Sequence, residues 1–466
     1  MKFVKKIYTF MIVLSAMVLF TACGKAKRED IADDLKGNLG MDASAGDVGK
    51  ENETDGIPDN ISYAVNVEDR IINVDAKVYA DGYGNVPTFA AKECADREEW
   101  ILNYAKKIFD NGEYKNVKSY ELLNREELEE ELQFYKERYA ENDENNHYNA
   151  TSYIEELLDN YNEEEHVSST DQLIYSDEYF NEETEHSLVT NRATLRGYVD
   201  GRMWTLVFED GYEDEIIDGE KRHLDIIPSL IGWCMDDMDE GYFLSGAPMD
   251  ETYPINLCKR ENAEKQAKDF LKQHGFDNME LLHIEQNKKY NSYSMDEYTM
   301  DGYTMAFGMS ENGTHLLFGY EAGYLAMEPE TDYAAVQPYV EVVVNSNGVC
   351  GITIKGIYDE TEVMSVESKL LSFEKINEIA KEKFTEMLEK EDSVSFDIGS
   401  IEFGYVYITY DGLSYVAVPA WRYYDVDGGR DAFFRISHLT ICALDGSIIY
   451  YSDKTITPGG LGSMTY

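Results

Sequence analysis

Positive charge is what this chain lacks most. Lys and Arg together number 41 against 91 Asp and Glu, a formal net charge of −50, and a field of that sign repels phosphate backbones. Nucleic-acid binding is excluded. Cysteine is sparse at 6 residues and no Cys-x-x-Cys occurs, which removes support for thiol-redox and zinc-ribbon chemistry and for a small disulfide-stapled scaffold. The sequence has no Gly-x-Ser-x-Gly elbow, no phosphate-cradling Gly-rich loop followed by Lys, and no His-Glu-x-x-His helix. The 8 His are scattered, and only His166 and His186 lie in acidic surroundings. Apolar material is not short: 43% of residues are hydrophobic and 13% aromatic, enough to fold most of the chain. At 466 residues two or three domains are expected.

The most specific signal lies at the N-terminus. Lys2, Lys5 and Lys6 precede an apolar run from Phe10 to Phe20, of a length suited to export and too short to span a bilayer as a mature helix. Phe20-Thr21-Ala22-Cys23 follows and resembles a bacterial lipobox. That resemblance implies removal of residues 1–22 and lipidation of Cys23 through a thioether. Two acyl chains anchor stably where one is marginal. The alternatives are an ordinary secretory peptide or an uncleaved anchor. The expected location is the cell membrane, lipid-anchored, facing outside the cytoplasm. Residues 23–60 are acidic and nearly free of large apolar side chains, a disordered tether with a reach of roughly 35 Å.

Hydrophobic periodicity organises the remainder. Ile61 to Val78 alternates as strands do, whereas Trp100, Ile101, Tyr104, Ala105, Ile108 and Phe109 share a helical stripe that Gly112 ends. A second helix is expected over 125–141, a short one over 153–158, and strands again at 193–209 and 223–227. From there one unit is written twice. Helices at 260–274 and 373–390 each precede several alternating runs, the first set bent at Asn345 to Gly348 and the second at Asp445-Gly446. The fold class is therefore α+β: antiparallel meanders each packed by a helix, repeated, behind an N-terminal mixed α+β domain. The expected boundaries are 61–254, 255–365 and 366–466.

Val418-Pro419-Ala420-Trp421 in a strand and Ala443-Leu444-Asp445-Gly446-Ser447 in the last hairpin give the second unit a resemblance to the PepSY-like, cystatin-like modules of extracytoplasmic bacterial proteins. The YycH and YycI regulators of the WalK histidine kinase are of that kind. The whole layout also resembles an uncharacterised family of clostridial lipoproteins. The match covers about residues 366–452, and 255–360 less closely. These resemblances bring no catalytic residues and no cofactor.

Other constellations have plain structural readings. Pro419 should sit at a sheet edge or bulge, with Trp421 packed on the helix or, alternatively, stacked on a ligand. The acidic runs at Glu126 to Glu131, Glu163 to His166 and Glu182 to His186, with Asp236 to Gly241 and Asp425 to Gly429, lack the alternate-ligand spacing of a calcium loop. They read as solvated faces and turns, so no metal is expected. Ser372-Phe373-Glu374-Lys375 has Ser-x-x-Lys spacing, but Ser372 falls where a helix N-cap belongs. Besides Cys23 there are Cys94, Cys234, Cys258, Cys350 and Cys442. Cys350 and Cys442 read as small core residues, and a Cys234–Cys258 bridge is open. The 36 Tyr, among them Tyr405, Tyr407, Tyr410 and Tyr415, suit either half-exposed strands or a binding surface.

The functional expectation is a surface-anchored, non-catalytic binding or regulatory lipoprotein with an envelope protein as partner. A solute- or glycan-binding receptor of a transporter is the alternative, and an envelope hydrolase the third reading.

Overall fold

The computed structural model describes residues 56–456 except 85, 94–96, 119, 121–122, 139–149, 162–172, 182–185, 218–219, 239–243, 248–254, 278, 291–297, 312, 318–319, 322–332, 335–337, 356–357, 366–369, 391–394, 410–413, 426–435 and 452–454. Cys23 with its lipobox, the tether up to residue 55, Cys94, His166 and Tyr410 lie outside the described residues, as do the side chains of His186 and Tyr415.

The two long helices form where apolar side chains recur at helical spacing, and each buries that stripe on a sheet. Arg260–Gln273 buries Ala263, Ala267, Phe270 and Leu271. Phe373–Lys390 buries Phe373, Ile376, Ala380, Phe384 and Leu388 among others. Ser372 caps this second helix, its Oγ accepting from the Lys375 backbone N–H at 3.3 Å, while Lys375 Nζ turns to Glu378 at 3.0 Å. The Ser-x-x-Lys spacing is thus a helix start.

Among the described residues the strands build two sheets, of ten and twelve strands. The larger has the order Tyr114–Asn116, His186–Val199, Arg202–Ile217, Glu220–Cys234, Gly348–Lys355, Tyr339–Asn345, Tyr298–Glu311, Met279–Tyr290 and Leu244–Ala247. Helices Arg97–Ile108 and Arg260–Gln273 pack on one face of it, against Leu195, Leu206, Ile284, Met305, Val342 and Ile352. In the smaller sheet the antiparallel run Phe396–Thr409, Ser414–Asp425, Ile436–Cys442 lies beneath helix Phe373–Lys390. The architecture is mixed α+β and dominated by antiparallel sheet. Each long helix precedes an antiparallel meander in sequence.

Long-range pairing crosses the expected boundaries. Arg70–Tyr79 lies parallel to Phe396–Thr409 with Ile72 opposite Phe396, and Gly348–Lys355 pairs with Glu220–Cys234. Each sheet therefore draws strands from both sides of a boundary placed by the repeated helix-and-strand pattern.

Pro419 departs from the expectation of an edge or bulge. It pairs with Tyr405 in a strand that has neighbours on both sides. Its carbonyl accepts from Ala443 N at 2.8 Å, one residue beyond the end of strand Ile436–Cys442. The N–H that proline lacks would face this same side, where the neighbouring strand leaves the ladder, so no ladder bond is lost.

His438 is buried in this sheet with its ring stacked on Phe396, centroids 4.0 Å apart. Burial pushes its pKa down to about 4. The unfolded chain protonates this imidazole near pH 6.5, so between about pH 6.5 and 4 the unfolded state binds the extra proton. Stability contributed by neutral His438 is then present above pH 6.5 and lost as pH falls toward 4, by roughly 3 kcal/mol over that window. Urea unfolding at stepped pH checks this. The wild-type slope should flatten by about that amount in His438→Phe, and equal slopes would refute it.

Candidate functional site

The acidic helix Arg125–Arg138 shows how the structure divides a charge run that looks uniform in sequence. Glu126, Glu129 and Glu130 are exposed. Glu127 belongs to a capping box: Asn124 Oδ1 accepts from Glu127 N at 3.0 Å, and Glu127 Oε2 accepts from Asn124 N at 2.9 Å. Glu131 instead points inward and is buried, a correction to the solvated-face reading of the run. It accepts from Arg196 Nη1 at 3.0 Å and from Lys115 Nζ at 2.8 Å. Burial pushes the Glu131 carboxyl up, but Arg196 and Lys115 outweigh it and hold the group below the usual carboxylate range. Arg196 lies over the Phe134 ring at 4.2 Å and donates to Tyr135 Oη at 3.4 Å. Leu123, Leu128 and Ile154 form the small core that joins this helix to Ala150–Asp159.

A second polar cluster occupies the face of the large sheet opposite its two packing helices. Glu341 faces Thr353, and Lys355 faces Ser229 across adjacent strands. Burial raises the Glu341 pKa against the pull of Lys355, and burial lowers that of Lys355 against the pull of Glu341. The Lys355–Ser229 juxtaposition would suit base-assisted attack by a hydroxyl. However, among the described residues Ser229 Oγ has no hydrogen-bond partner and both residues are buried, so the amine does not engage the hydroxyl. Among the described residues no group of three or more His, Cys, Asp or Glu is placed to hold a metal ion.

A shallow groove of about 670 Å³ lies where helices Arg97–Ile108 and Arg260–Gln273 end, lined by Lys106, Phe109, Asp110, Asn111, Gln273 and His274 among others. Asp110 is already engaged, its carboxylate accepting from the backbone N–H groups of Asp200 and Gly201 at 3.0 and 2.9 Å. His274 Nδ1 is 2.6 Å from the Lys107 carbonyl, and since that oxygen only accepts, Nδ1 carries the proton.

The most open feature is a β-extension. The helix-covered core of the large sheet ends at Ala193, Phe208 and Leu230. The ladders run on to Ser187 opposite Asp214 and to Ile217 opposite Glu220. Strand Tyr175–Asn181 joins by pairing with 186–192 and, among the described residues, has no strand on its other side. Tyr179 is 54% exposed and Phe180 62%. As strand neighbours they point to opposite faces, so both faces of this edge present an aromatic ring.

Several residues singled out in the sequence go elsewhere. Trp421 is fully buried against helix Phe373–Lys390, which settles it as a packing residue. Tyr405 and Tyr407 are buried in the same core and form no surface. Cys350 and Cys442 are buried. Cys234 and Cys258 are not bridged: Cys234 ends a strand opposite Trp204, and Cys258 Sγ turns to the Lys259 carbonyl at 3.8 Å. The sequence reading missed Arg196 and Glu131 as a pair, because nothing in either local pattern marks a contact 65 residues away.

No family model matches the sequence, and no curated protein does. Among solved structures, an uncharacterized protein from Eubacterium rectale aligns over 91% of this chain and 99% of its own, at TM-score 0.39 and 11% identity. The C-terminal domain of YpeB from Bacillus megaterium aligns over 60% of this chain and 89% of its own, at TM-score 0.24 and 12% identity. No helix among the described residues is long and apolar enough to cross a membrane.

Proposed function

We propose that this chain is a non-catalytic binding lipoprotein of the cell envelope, moored through lipid on Cys23, whose two helix-plus-meander units are PepSY-like modules. Its partner is an envelope protein that offers a basic, extended segment. The observation that carries this reading is the open edge at Tyr175–Asn181. Strand addition to such an edge supplies backbone hydrogen bonds, and the flanking rings supply apolar contact. The charge of the partner follows from that of the extension, where Asp177 and Glu178 lie on the edge strand and Glu213, Asp214 and Glu215 lie two strands in. Charges of one sign steer an oppositely charged segment and do so less as salt rises.

A photocrosslinker at position 180 of the full-length chain, in envelope preparations, tests this directly. Crosslinks should fall on Lys- and Arg-rich peptides of one partner, and Tyr179→Lys with Phe180→Lys should lower recovery of that partner at least tenfold with an unchanged circular dichroism spectrum. Unchanged recovery, or crosslinks to acidic peptides, would refute the reading. Palmitate label that survives in Cys23→Ser would refute the anchor.

The solute- or glycan-receptor alternative is supported by the groove at Lys106 to Gly112. Phe109 lines it, but at 3% exposure its ring is packed in the core and presents no stacking face, so the support is the concavity and its polar lining alone. Thermal shift against a sugar and peptide library separates it from protein binding.

A further inference from the structure

The twelve-stranded sheet is joined across its middle by strands Glu220–Cys234 and Gly348–Lys355, and the last registered pair at one end is Trp233 with Gly351. Continuing that antiparallel register one step past its last pair would set Cys234 opposite Cys350. Both belong to the same core cluster, at 0% and 5% exposure, and by strand alternation Cys234 shares the face of Leu230 while Cys350 shares that of Ile352 and Ile354. Directly opposed residues in antiparallel strands have Cα atoms about 4.5 or 5.5 Å apart, and both spacings fall inside the roughly 4.4–6.8 Å that a disulfide spans. The two thiols lie close enough for the charge of one to oppose ionisation of the other, and both lie near Arg202.

We propose that Cys234 and Cys350 close into a cross-strand disulfide when the chain folds in the presence of an oxidant of the disulfide class. In the reduced protein Cys350 Sγ donates to the Val343 carbonyl at 3.6 Å, and bond formation gives up that contact. Cys350 is also the extra residue of a bulge, lying between the pairs Val343–Gly351 and Val344–Val349, where the backbone has slack to adjust. The chemistry balances as two exchanges. One cysteine thiolate attacks the oxidant disulfide and expels one thiolate. The second cysteine thiolate then attacks the mixed disulfide and expels the other, so two electrons pass to the oxidant and each cysteine loses its proton. Burial raises the Cys350 thiol well above its ordinary pKa, so closure belongs to folding, when the pair is still open to solvent. The staple would tie the strand that ends the N-terminal part of this sheet to the last strand of the first meander.

The test is to refold the full-length chain from denaturant with reduced and oxidised glutathione, alkylate, digest and map by mass. One linked peptide pair joining 234 to 350 is expected, with two fewer alkylatable thiols than in protein kept in dithiothreitol. The oxidised form should melt several degrees higher, and that gain should vanish in Cys234→Ser and Cys350→Ser while persisting in Cys258→Ser and Cys442→Ser. Recovery of both cysteines as alkylated thiols, or linked to other cysteines, would overturn the proposal. If the Ser variants fail to fold, the wild-type peptide map decides alone. None of these readouts involves the envelope partner, so this inference and the binding proposal fail separately.

Discussion

Trp421→Ala is expected to destabilise the smaller sheet and its helix by about 3–5 kcal/mol, the range for emptying a large aromatic site in a closed core. Trp421 is fully buried, with ring centroids 4.7 Å from Phe373 on the helix, 5.2 Å from Phe403 on the neighbouring strand and 5.8 Å from Tyr83. Three separate segments meet on this one side chain. None of them can collapse into the space without leaving its own ladder or turn. A companion substitution isolates the cause. Among the described residues Trp421 Nε1 has no hydrogen-bond partner, and a buried donor left that way costs on the order of 1–3 kcal/mol. Trp421→Phe removes that donor while keeping a ring, and should cost distinctly less than Ala. Urea unfolding followed by far-ultraviolet circular dichroism gives both values. A loss below about 1 kcal/mol for Trp421→Ala would show that the cluster does not hold the sheet to the helix.

The second large effect concerns Arg196→Met, which should cost about 3–5 kcal/mol by leaving Glu131 buried with only Lys115 to balance it. The methionine retains most of the aliphatic contact with Phe134, so lost packing does not account for the change. Arg196→Met combined with Glu131→Leu should recover much of the loss, because replacing both partners of a buried pair is far milder than orphaning one. The pH response separates the two variants further. Glu131 has its pKa lowered in the folded protein, so its stabilisation is present above the unfolded carboxylate value near 4.3 and is lost as pH falls through the lower folded value. That loss should appear in wild type and be absent from the double variant. Additive effects in the double variant would refute the pairing.

Much of the secondary structure was legible because it rests on local spacing. The apolar stripe of 373–390 predicts the helix to its last residue, and the alternation of 61–78 marks two strands that the structure extends by a residue or so at each end. Strand partners were not legible. Nothing in Arg70–Tyr79 says that it will lie parallel to Phe396–Thr409, because its alternation records one buried face and not which strand completes the ladder. The boundaries suffered for the same reason. The start of the repeated helix-and-strand unit at 255 marks a change of local pattern, while the large sheet continues through it. Residue chemistry also misled where it was read without context. Tyrosines on alternating strands suited half-exposed strands or a binding surface, yet Tyr405 and Tyr407 fill the core. The most exposed rings among the described residues are Phe180 and Tyr179, in an acidic stretch that periodicity did not single out. Trp421, by contrast, was readable, since an apolar strand in a helix-covered meander leaves a large ring one place to go.

The parallel pairing of Arg70–Tyr79 with Phe396–Thr409 also sets an order of assembly. Strand Arg70–Tyr79 leaves the ribosome with a partner encoded more than three hundred residues later, and a contact at that separation forms only after a very large loop has closed. The hairpin it forms with Asn60–Val67 must therefore wait, unpaired along one side, until Phe396–Thr409 has been made. Release of a truncated product would strand it in that state, with an unfinished edge open to aggregation.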